Sequence, residues 1–177
     1  MFVINFFTVF FLIFFVGTSY AEKKNDNLCN LNQKYKLSIF GKNDFILISK
    51  SCDYNDKHFL VNFLIKGKQK IFINKYSVNG GKWPQKLEAV SIYKQKNKAP
   101  ILITLHTQRW DTPTIGGVTY SINLYQIINN NEGVKLIDIS KNLGNDQSGL
   151  DGISDEYMHF KFKDIASIKK WLDKNYK

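Results

Sequence analysis

The sequence predicts a mainly β (α+β) domain, an antiparallel sandwich or partly open barrel of about eight or nine strands with one C-terminal helix. Three observations predict it. Apolar and polar residues alternate with period two in one short segment after another. Turn residues, chiefly Gly, Asn and Asp, separate those segments at short intervals. Helical spacing occurs only at the end, where Ile165, Ile168 and Leu172 follow Asp164, a residue suited to cap a helix.

Residues 1–21 are set apart from this pattern. Residues 2–16 are nearly all apolar, and no charged side chain precedes Glu22. Ser19 and Ala21 are small residues at the two positions read by a signal peptidase, so 1–21 is expected to be a signal peptide cleaved after Ala21. The apolar run falls short of the roughly 20 residues that span a bilayer. A single β-rich domain is then expected over 22–177, in the periplasm or secreted, with no transmembrane segment after cleavage. Cys29 and Cys52 are the only cysteines. In an oxidising compartment an even count favours a disulfide, and this one is expected to contribute about 3 kcal/mol.

The elements are expected in the following order. Residues 22–33 are polar and read as an arm. Residues 35–40 and 45–49 alternate on either side of a turn at Gly41 and Asn43, which makes a hairpin. Residues 50–57 are polar. A second hairpin pairs the apolar run 58–66 with 69–78 across Gly67 and Lys68. Residues 79–84 form a Gly-rich loop, and the β-branched content of 87–93 favours a strand.

The centre is the stretch 100–128. Ile101, Ile103 and Leu105 alternate with Leu102, Thr104 and His106, and a second alternating run begins at Val118. The residues between, 107–117, are expected to form a loop. This hairpin should present one face to the core. Residues 134–139 return along it after a turn at 129–133. Residues 141–155 read as an irregular loop. Residues 156–163 alternate again, with Met158, Phe160 and Phe162 on one face, and the helix covers about 164–175.

Composition bounds the function. The formal net charge is +10, but of 25 basic residues only Arg109 is an arginine, and the lysines are spread along the chain. That pattern reads as a solvated lysine surface suited to an acidic partner, not as a nucleic-acid footprint. Catalytic signatures of the Gly-x-Ser-x-Gly and His-Glu-x-x-His kind are absent, and the histidines lack metal-ligand spacing. The stretch 146–157 fails the EF-hand pattern, because Leu150 and Tyr157 stand where ligands are required. No catalytic residue, metal ligand or cofactor is assigned.

The chemically distinct segment is Arg109, Trp110 and Asp111. It joins a planar cation, a flat ring and a carboxylate, and Arg and Trp are enriched at interface hot spots. A local Arg109–Asp111 ion pair is the structural alternative. Trp83 becomes a second anchor if its loop shares an end of the domain with Arg109. The expected function is a small exported binding protein, a periplasmic module of immunity or inhibitor type whose partner is a toxin or an envelope enzyme. The alternatives are a lysine-rich envelope protein that binds anionic glycan or lipid, and a small hydrolase using His106 with Asp111.

Overall fold

The computed structural model describes residues 28–54, 57–77 and 83–176. The expected signal peptide, the start of the polar arm and residues 79–82 of the Gly-rich loop lie outside the described residues. Two antiparallel sheets and one helix form three layers, so the fold is a sandwich.

The first sheet is a meander of β1 (Leu28–Leu37), β2 (Phe45–Tyr54), β3 (Lys57–Lys66) and β4 (Gln69–Ser77). Part of the expected arm is strand, since β1 begins at Leu28, and the polar stretch after Ser49 continues β2 to Tyr54. Cys29 lies directly opposite Cys52 and the two form a disulfide, with Cα atoms 4.0 Å apart. The bridge therefore joins two directly paired strands. Asp44 closes the β1–β2 turn by accepting hydrogen bonds from the N–H groups of Ile39, Phe40 and Gly41 at 2.8–2.9 Å.

The chain passes to the second sheet once, between Ser77 and Lys86. This sheet holds β5 (Lys86–Tyr93), β6 (Ile101–Asp111), β7 (Ile115–Asn130), β8 (Gly133–Asp138), β9 (Ser148–Ser154) and β10 (Glu156–Met158). The whole of β6 pairs with β7, from Ile101 opposite Gln126 to Asp111 opposite Gly116, and only Thr112, Pro113 and Thr114 are left between the strands. The expected loop 107–117 is thus mostly strand, and Arg109, Trp110 and Asp111 belong to β6.

The other edge of β7 is shared. Tyr125 to Asn130 pair with β8, and Ile115 to Ser121 pair with β9. Between them the chain leaves the sheet through a 3₁₀ segment, Ser140–Gln147, and Ser140 Oγ accepts from the Leu124 N–H at 3.0 Å. The region expected to be irregular loop therefore supplies a strand. Gly117 and Gly152 face each other in that pairing at φ of +133° and +158°. A Cβ on Gly117 would lie 2.4 Å from the Asp151 carbonyl oxygen, so only glycine fits there.

The central strands are covered on both faces, not one. Leu102, Tyr125 and Ile127 face Leu47, Leu60 and Leu64 of the first sheet. Ile101, Ile103 and Leu105 face the opposite way, onto Phe160, Phe162, Ile168 and Leu172. That second cover is the helix α1 (Ile165–Asn175) with the segment before it. The Asp164 carboxylate accepts from the Ser167 N–H at 2.7 Å and caps the helix as expected. The run from Glu156 pairs only as far as Met158, after which Phe160 and Phe162 drop into the core while Met158 stays exposed.

Candidate functional site

The outer half of β6 and the beginning of β7 extend past the end of the helix. Their helix-side face is left open there, and it forms the floor of a cleft of about 370 Å³. Register fixes the floor: Lys86 lies beside Thr107, Thr107 beside Tyr120, and Arg109 beside Val118. Trp83 and Pro84 line the cleft from the segment preceding β5, and Lys163 lines it from the segment preceding α1. The Gln108 side-chain amide donates to the Trp83 carbonyl oxygen at 3.2 Å, which holds the Trp83 segment against β6.

The cleft is cationic. Lys163 Nζ lies 3.1 Å from both carboxylate oxygens of Asp151, and its hydrogen bond is the main influence holding that carboxyl below the usual range. Glu88 accepts from Thr107 Oγ1 at 3.2 Å. Among the described residues Arg109 and Lys86 make no ion pair. Trp83 is 44% exposed, so a flat apolar surface stands beside the two cations. Burial, followed by the Asp151 charge, raises the Tyr120 phenol, which keeps it a neutral hydrogen-bonding group at the cleft floor.

Strand alternation divides the residues that the sequence grouped together. Arg109 points to the helix side and joins Trp83 in the cleft. Trp110 turns to the other face of β6, where its indole N–H donates to Thr119 Oγ1 at 2.9 Å. Asp111 is exposed at the strand end beside Gly116 and makes no ion pair with Arg109. Lys86, Tyr120 and Lys163 escaped the sequence reading because long-range pairing alone brings them to this place.

His106 is enclosed between the sheets at 1% exposure. The Asn62 amide donates to His106 Nε2 at 2.9 Å and to Asn74 Oδ1 at 2.7 Å. The Tyr76 ring lies 4.0 Å from the imidazole centroid, and its hydroxyl donates to Asn123 Oδ1. Burial drives the imidazole down to about 3, against the pull of the Ser121 backbone. Burial likewise raises the phenols of Tyr76 and Tyr125, the latter to about 12. His106 and Asp111 are therefore not brought together as an acid–base pair. Ser49, Asn62 and Asn74 form a polar row across the interior of the first sheet, and with His106 and Asn123 they make one end of the sandwich polar.

His58 and His159 sit at the surface beside Asp53 and Asp151, at 2.7 and 3.1 Å. Among the described residues no three His, Cys, Asp or Glu side chains converge as metal ligands, and no helix is long and apolar enough to cross a membrane. Comparison with protein-family models, characterised proteins and solved structures finds no match for this chain.

Proposed function

We propose that this chain is an exported binding protein of immunity or inhibitor type, and that its cleft grips an acidic side chain of a protein partner. One observation carries the reading. Arg109 and Lys86, which make no ion pair among the described residues, line a cleft together with the half-exposed Trp83. A guanidinium offers a carboxylate two parallel hydrogen bonds, and the neighbouring indole excludes water from them. The disulfide supports an oxidising compartment. Lysines elsewhere raise the encounter rate with an acidic partner, while the cleft supplies specificity.

The test is capture of partners from the envelope fraction of the producing cell on the immobilised protein, repeated with Arg109→Ala, Arg109→Lys and Trp83→Ala. A protein held by the parent and weakened about 30-fold or more by Arg109→Ala is the expected result, the size of a hot-spot loss. Arg109→Lys should restore only part of it, because an ammonium lacks the paired donors. A partner that binds all three variants as tightly as the parent would place the interface elsewhere and remove the proposal.

A further inference from the structure

One face of the second sheet is covered by the helix, but among the described residues no layer covers the outer face of the first sheet. Register arranges that face in four rows across the paired strands. One row is Lys36, Ile46, Ile65 and Lys70, and the next is Lys34, Ile48, Phe63 and Phe72. The third is Leu31, Lys50, Val61 and Lys75. The last holds the disulfide, followed by Phe59 and Ser77. The interior of the face is apolar, lysines stand mainly along its edges, and no carboxylate occurs in any row.

Exposure and charge give this pattern its meaning. Phe72 is 57% exposed and Leu31 is 59% exposed. Lys70 and Lys75 lay their ammonium groups 4.0 and 3.9 Å from the ring centroids of Phe63 and Phe59, so cation and apolar surface are presented together. Residues 28–77 carry nine lysines against three aspartates, which concentrates the excess charge on this sheet.

We infer that this face docks on an anionic phospholipid surface. Phe and Ile side chains without polar atoms suit the boundary between headgroups and acyl chains, and flanking lysines suit the phosphates above it. A second copy of the chain is the poorer occupant, because face-to-face contact would set lysines against lysines. A soluble polyanion would use the lysines and leave the phenyl rings unsatisfied. The cleft opens on the opposite, helix-bearing side of the domain, so a docked molecule keeps it free for a partner.

The experiment is co-sedimentation of the processed chain, purified from exporting cells, with phosphatidylcholine vesicles and with vesicles rich in phosphatidylglycerol. Binding should be confined to the anionic vesicles and weaken with salt. Each lysine at such a surface contributes about fivefold, so Lys70→Gln with Lys75→Gln should lower partitioning about 30-fold. Lys34→Gln with Lys36→Gln, on a different strand, should do the same. Phe72→Ser should lower it about tenfold and leave the remainder more salt-sensitive. Lys94→Gln with Lys96→Gln, in the β5–β6 turn, removes equal charge away from the face and should change partitioning less than about twofold.

Failure to bind anionic vesicles overturns the inference, as does an equal loss in the turn variant and both face pairs. Indifference to Phe72→Ser, together with equal affinity for dextran sulfate, assigns the face to an acidic polymer or protein instead. Concentration-dependent dimers that disappear in Phe72→Ser assign it to a second copy.

Discussion

Replacing His106 by Gln isolates one contribution to the acid stability of this domain. In the folded chain the imidazole is held neutral, at about 3, by its burial between the sheets. In the unfolded chain it titrates near 6.5. The folded value is the lower one, so the unfolded chain takes up a proton that the folded chain refuses. Stability is therefore full above about pH 6.5 and is lost as the pH falls toward the folded value, by about 1.4 kcal/mol per unit. Between pH 6.5 and 5, before most carboxylates protonate, the loss should reach about 2 kcal/mol. Gln keeps an acceptor for the Asn62 amide and has no charge to gain. Urea unfolding at pH 7.5, 6.5, 5.5 and 5 should show the parent and His106→Gln converging as pH falls, even if Gln costs about 1–2 kcal/mol at neutral pH through lost packing on Tyr76. Curves that stay parallel within about 0.5 kcal/mol would mean that His106 is protonated in the fold, and the reasoning would fail.

Gly117→Ala should destabilise the domain by at least about 2 kcal/mol in thermal or urea melts, because the new methyl meets the Asp151 carbonyl at positive φ, whereas Gly116→Ala, with open space around it, should cost far less. Leu172→Ala should cost about 3–5 kcal/mol, since Leu172 is fully buried where the helix meets the second sheet. Asp44→Ala should cost about 1.5–3 kcal/mol by removing the acceptor for three turn N–H groups. Burial raises the Asp44 carboxyl but those hydrogen bonds outweigh it and the folded value is lowered, so its contribution is present above about pH 4 and disappears on further acidification. Reduction of Cys29–Cys52 should lower stability by about 3 kcal/mol without changing the cleft around Arg109, a separation that melts and capture assays read independently.

The elements legible in the sequence are those whose cause is local. Asp164 and the spacing of Ile168 and Leu172 specify the helix within a few residues. Alternation specifies β6 and β7, and the paired cysteines fall opposite each other, as their even count suggested. β9 was not legible. Its run of Ser, Gly and Asp has no apolar alternation, and it becomes a strand because β7 has a free edge and two glycines allow the backbones to meet. The double burial of β6 had a signal in the near absence of polar residues from Ile101 to Leu105, a pattern of strands covered on both sides. The cleft was half legible. Arg109 and Trp83 stood out by residue type, but adjacency in sequence placed Trp110 beside Arg109, and the alternation of β6 sets them on opposite faces. Lys163 reaches the site from the far end of the chain, where its own surroundings read only as the end of an alternating run before the helix.

Each sheet is built from an unbroken stretch of chain, and the polypeptide crosses from one to the other a single time between Ser77 and Lys86. A cut at that crossing yields two fragments, one a disulfide-stapled meander and the other a helix-backed sheet, whose complementary apolar faces pack on each other. Produced separately, the two halves are expected to reassemble through those faces. Fused to two proteins that meet in an oxidising compartment, they would report that encounter by regaining the fold.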